Sequence, residues 1–190
     1  MKKIEKILAS IILFGFLFKL MHWPFSNEIL ALGAVFLSML YFGFSFALLN
    51  NIKFKNIFKQ VAYNGISKLR LFVAIATGVI FSALVIYCLF KVMFWPYGQI
   101  GLEIVLKVFI LLIAIILFEY FIKNRKLFLN LNYKRFIIIG LTSVFIYFIT
   151  NDQLVDLYYG SDPVYAEEYK AYLNETTPNT KRPSKEFKSN

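Results

Sequence analysis

Apolar residues run along this chain in long blocks with short polar punctuation. Ile7 to Phe18 is free of charge and is followed by Lys19; Ile29 to Leu49 stays uncharged for 21 residues, about 31 Å of helix at 1.5 Å per residue. Leu71 to Phe90 is uncharged for 20 residues and continues through Lys91 to Met93. A further block runs from about Gln99 to Phe121, with Glu103 and Lys107 near its start and Glu119 near its end. Blocks of this length predict membrane-spanning helices. The last run, Phe136 to Thr150, has 15 residues, below the usual minimum of about 17. It is a fifth span if its flanks extend it, and a re-entrant or interfacial helix otherwise. The predicted architecture is all-α: a polytopic transmembrane helical bundle over residues 1–150, with spans near 7–22, 29–49, 71–94, 99–122 and 135–150, and a polar tail over 151–190.

The connections carry their own signals. Between the second and third blocks, Phe54, Ile57, Phe58 and Val61 fit either a short interfacial amphipathic helix or an ordinary basic loop. In the tail, Asp162 before Pro163 is a helix start, because the carboxylate can cap free amides and proline is tolerated in a first turn. Tyr165, Tyr169 and Tyr172 then share one face of a short helix over about 162–174, expected to pack on the membrane domain or lie at its interface. Beyond Thr176 the Pro, Lys and Ser content predicts disorder.

Composition agrees with the blocks: 59% of residues are apolar, 19% aromatic and 17% charged, against about 25% charged in a soluble domain. The net charge of +10 sits in clusters between apolar runs and forms no basic stripe, so it argues for anchoring the spans and against nucleic-acid binding. Lys2, Lys3 and Lys6 precede the first span; Lys53, Lys55, Lys59, Lys68 and Arg70 fill the first long loop, and Lys123, Arg125, Lys126, Lys134 and Arg135 the second, while the short turns at 22–24 and 94–96 have none. The positive-inside rule then predicts a cytoplasmic N-terminus, outward turns and, with five spans, a C-terminus on the outer side. No small-x-small site follows the first block, so it reads as a retained span and not a cleaved leader. Cys88 is the single cysteine, which rules out an intrachain disulfide and a cysteine metal cluster.

A repeat is the most specific feature. Leu17-Phe18-Lys19-Leu20-Met21-His22-Trp23-Pro24-Phe25 recurs 72 residues later as Leu89-Phe90-Lys91-Val92-Met93-Phe94-Trp95-Pro96-Tyr97, with six of nine positions identical. Each copy ends a span and opens a hairpin, so the two hairpins are parallel and not inverted repeats. Physics suffices for the motif: Lys19 and Lys91 can snorkel, Trp23 and Trp95 suit the interface, and Pro24 and Pro96 end the helix. Two lysines four residues before a tryptophan also suggest one shared geometric task.

The motif resembles the N-terminal transmembrane hairpin of the GldL family, Bacteroidota gliding-motility and type IX secretion motor proteins, which carry a Phe-Lys-x-x-His-Trp-Pro turn. Phe18, Lys19, His22, Trp23 and Pro24 match that pattern; the second copy keeps Phe90, Lys91, Trp95 and Pro96 and has Phe94 in place of the histidine. The resemblance covers roughly residues 10–50 and, more weakly, 82–122. It implies a bacterial inner-membrane protein. It also implies a coupling carboxylate in the second helix of the hairpin, where this chain has Leu40, Tyr41 and Phe42 and no acid between Ile29 and Leu49. Motor activity is therefore not carried over.

Glu103 and Lys107, four residues apart, can pair on one helix face. His22 is the lone histidine, so bis-histidine haem ligation and a histidine-rich metal site are ruled out; no cofactor is implied. No GxGxxG, P-loop, GxSxG or HExxH occurs. The expected function is a non-enzymatic accessory or scaffold subunit of a membrane assembly, contacting lipid and a membrane protein partner or another copy of itself. The alternative is a small transporter or ion-conducting subunit that uses Lys19, Lys91, Glu103 and Lys107 as its polar path.

Overall fold

Each apolar block of the sequence is one helix. The computed structural model describes residues 1–123 and 134–174. It contains α1 (Lys2–Leu20), α2 (Ser26–Leu49), α3 (Lys68–Val92), α4 (Gly98–Lys123), α5 (Lys134–Phe148), α6 (Asn151–Tyr159) and α7 (Pro163–Asn174), with no strand among the described residues. The segment between α2 and α3 is not one amphipathic helix. It forms two short 3-10 turns, Phe54–Asn56 and Gln60–Tyr63, which bury Ile57 and leave Phe54, Phe58 and Val61 outside. The disorder expected beyond Thr176, and most of the basic stretch after Lys123, fall outside the described residues.

Among the described residues three helical stretches are long and apolar enough to cross a bilayer: Ser26–Leu49, Lys68–Val92 and Gly98–Glu119. α5 and α6 reach that standard only together, and they meet at a 90° bend. α1 falls short for a specific reason. Lys2, Lys3, Glu5 and Lys6 crowd one end and Lys19 the other, leaving Ile7 to Phe18, about 18 Å of helix, without charge.

α2 lies between α1 and α3, and α3 in turn packs on α4 and α5. The centre of the bundle is aromatic. Phe81 of α3 is fully buried, with ring centroids of Tyr41 (α2), Phe109 (α4) and Phe136 (α5) at 5.5, 6.0 and 5.1 Å. Lipid tails are as apolar as leucine, so helices in hydrocarbon associate through close packing and polar contacts. The α2–α3 seam uses both. Ser38 and Ser82 share a hydrogen bond of 2.7 Å, and Gly78 lies so close to α2 that a Cβ there would overlap the Ser45 side chain and come within 2.6 Å of the Tyr41 carbonyl. In the first hairpin, Gly15 approaches the backbone of Leu30 in the same way.

The tail is more structured than its composition suggested. Thr150 caps α6 through a capping box with Gln153, and Asp162 accepts the Tyr165 amide at 3.2 Å at the start of α7. Lys170 of α7 bridges Asp156 of α6 and Glu167, each at 2.8 Å. The Asp156 carboxylate, then Glu167, hold its ammonium above the ordinary lysine value.

Replacing Gly78 by leucine is expected to cost about 1–3 kcal/mol, because a backbone carbonyl cannot move aside as a side chain would. A thermal melt in detergent checks this, and an unchanged midpoint would refute the close-packed seam.

Candidate functional site

The two repeat copies fold into the same backbone turn. His22 and Phe94 have φ of 56° and 55°; Phe25 and Tyr97 have 61° and 63°. In the first turn, Trp23 N–H donates to Phe18 C=O at 3.0 Å and His22 N–H to Lys19 C=O at 3.2 Å. In the second, Trp95 N–H donates to Phe90 C=O at 2.8 Å and Phe94 N–H to Lys91 C=O at 3.1 Å. This is a Schellman termination, with the left-handed position filled by His or Phe where glycine is usual. That motif commonly carries an apolar contact between the residue after the left-handed one and the third from the helix end. Here the contact is aromatic: Trp23 on Phe18 at 4.7 Å and Trp95 on Phe90 at 5.1 Å. Pro24 and Pro96 then prevent the helix from continuing. The Phe-x4-Trp-Pro spacing is thus the sequence form of one helix stop, used twice.

The repeated lysines do not run outward to water. Lys91 is 3% exposed. Its ammonium donates to the Tyr147 carbonyl in the last turn of α5 at 2.7 Å and to Gln99 Oε1 in the first turn of α4, and lies 5.7 Å from the Tyr147 ring centre. Lys19 is half-buried and donates to the Val92 carbonyl at the end of α3 at 3.2 Å, with Met93 Sδ at 3.3 Å and the Tyr158 ring centre at 4.7 Å. A helix C-terminus exposes carbonyls without partners and carries the negative end of the helix dipole, where a cation is favourable. Lys19 therefore ties the end of α1 to that of α3, and Lys91 ties the end of α3 to that of α5.

α6 and α7 close over the two turns. Tyr158 meets Phe16 and Phe94, Tyr159 lies 6.0 Å from the His22 ring, and Tyr169 packs on Phe94 at 5.5 Å. Tyr158 and Tyr169 are each 1% exposed. His22, Trp23, Pro24, Trp95 and Pro96 themselves remain on the surface.

Sequence reasoning missed a second polar centre at the opposite end of the bundle. Arg135 of α5 grips Glu5 of α1 with two bonds, Nε to Oε1 and Nη2 to Oε2, both 2.6 Å, and Tyr41 Oη donates to Glu5 Oε1 at 2.8 Å. Glu5 is a lone acid among Lys2, Lys3 and Lys6, which hid it in a cluster read only as basic. Tyr41 lies in the stretch of α2 that has no carboxylate of its own; the acid it meets comes from the neighbouring helix.

Glu103 and Lys107 join neither centre. They pair at 2.7 Å on an open face of α4, their side chains 39% and 72% exposed. Between α1 and α5 runs a groove of about 540 Å³ whose walls are overwhelmingly apolar, among them Ile12, Phe16, Leu37, Leu89 and Ile146.

These features define a multi-pass helical membrane protein assembled from two repeated hairpins and a helical cap. Residues 4–63, the first hairpin with the loop after it, match the family model of the GldL N-terminal domain. Comparison with curated proteins and with solved structures found no match.

Glu5→Leu leaves a guanidinium buried without its counter-charge, a loss of about 3–5 kcal/mol. The double variant Glu5→Leu, Arg135→Leu is expected to be more stable than Glu5→Leu alone. Denaturant titration in detergent measures both; losses that simply add would contradict a direct pair.

Proposed function

We propose that this chain is a non-enzymatic accessory or scaffold subunit of a membrane assembly in a bacterial inner membrane. The observation that carries the proposal is where the charged groups go. Lys19 and Lys91 are spent on helix ends, Glu5 and Arg135 on each other, and Glu103 and Lys107 form a self-contained pair. A conducting or transporting subunit needs its intramembrane charges on one hydrated path. Here they are scattered, and the groove between α1 and α5 is apolar, which supports scaffolding over conduction. The match to the GldL N-terminal domain supports an assembly of the gliding-motility and type IX secretion type.

The clusters of Lys and Arg support a cytoplasmic N-terminus, with both Trp-Pro turns on the periplasmic side. α1 and α5 complete the five crossings, their short apolar lengths extended by flanking lysines and aromatics. The α6–α7 cap then faces the periplasm and offers the assembly a rigid surface, because it is packed onto both turns.

Purification of the tagged chain from its native membrane in a mild detergent, with mass spectrometry of what accompanies it, is expected to return a defined set of membrane proteins at fixed ratio. Deleting residues 151–190 is expected to remove those that bind the periplasmic face. A chain that comes through alone from gentle extraction would refute the scaffold reading.

A further inference from the structure

One cavity is built differently from the apolar groove. It measures about 240 Å³ and lies beside the second turn, lined by Lys91 and Gln99, by Asn151 of α6 and by Trp95, Tyr97 and Leu173. An ammonium has three protons to donate. Lys91 places two, on Gln99 Oε1 and Tyr147 C=O, and both acceptors are neutral. No carboxylate lines the cavity, and none pairs with Lys91 among the described residues. Two helices also start at its wall. Gly98, Gln99 and Ile100 open the 26-residue α4, whose first turn holds no acid and whose first amides lack intrahelical acceptors and favour an anion; Asn151 opens α6, where Thr150 already caps the Gln153 amide and Asp152 lies outside the lining. A buried cation with a proton to spare, the open N-terminus of α4 and a lining without a carboxylate form a site for an oxyanion.

We propose that this cavity binds the phosphate of an anionic phospholipid. Two observations favour a lipid over free phosphate. Trp95 and Tyr97 frame the mouth at the end of a span, the depth at which such rings sit among headgroups. Ile100 is both a wall of the cavity and the first rung of an exposed apolar stripe, Ile100, Ile104, Val108 and Leu111, that continues down α4 for the acyl chains. The first hairpin has no matching arrangement. Asn27 stands where Gln99 does, and Lys19 is turned to Val92 and Tyr158.

The test uses the full chain, stripped of lipid in detergent and titrated with dioctanoyl phosphatidylglycerol. In a Trp23→Phe background Trp95 is the only tryptophan and reports on the cavity, while native mass spectrometry counts bound lipid. One lipid per chain is expected, with saturable Trp95 fluorescence change. Asn151→Asp, which adds an anion to the wall at a helix start that tolerates it, is expected to weaken binding about tenfold, as is Lys91→Gln. Lys19→Met should leave it unchanged. Inorganic phosphate giving the same saturable change on its own would overturn the lipid assignment. Absent saturation, indifference to Asn151→Asp, or an equal loss in Lys19→Met would overturn the site.

Discussion

A backbone carbonyl left bare at the edge of hydrocarbon costs several kcal/mol, and every helix in this bundle must end somewhere. The repeated turn answers half of that cost locally, by folding the last carbonyls of α1 and α3 back onto amides of the turn. The repeated lysine answers the other half at a distance, by bringing an ammonium to the end of the next parallel helix. Because the donor helix and the capped helix differ, ending a helix and joining helices become one event. α1, α3 and α5 are thereby fixed at one end by two lysines, while Glu5, Arg135 and Tyr41 join α1, α5 and α2 at the other.

The cap depends on the same arrangement. His22 and Phe94, both left-handed, carry the rings that Tyr159, Tyr158 and Tyr169 pack against. Glycine would satisfy the turn more cheaply, yet it would remove the His22 and Phe94 rings from the contact with α6 and α7. The strain of a non-glycine residue in that conformation is accepted for a side chain that the α6–α7 cap packs against.

Much of this was legible in the chain. The helices follow from uncharged runs, and the hairpins from a repeat whose offset of 72 residues reappears in φ angles and hydrogen bonds. Asp162 and Pro163 stand at the start of α7. What stayed hidden was pairing between distant segments. Nothing local distinguishes a snorkelling lysine from one that reaches Tyr147, and Gln99 drew no notice as its partner. α6 escaped because Asp152 and Asp156 made its segment look like polar tail, although Thr150 and Gln153 spell a capping box.

The central claim is that Lys91 is a tie inside the bundle and not an anchor facing lipid. Thermal unfolding of Lys91→Met beside Lys107→Met tests it most directly, since methionine keeps the length and apolar character of the stem. Loss of the ammonium strands the Tyr147 carbonyl, about 1–3 kcal/mol, or roughly 2–4 °C per kcal/mol for a chain of this size. The account predicts a clear fall in midpoint for Lys91→Met and little change for Lys107→Met. A Lys91→Met protein that melts at or above the parent would contradict it.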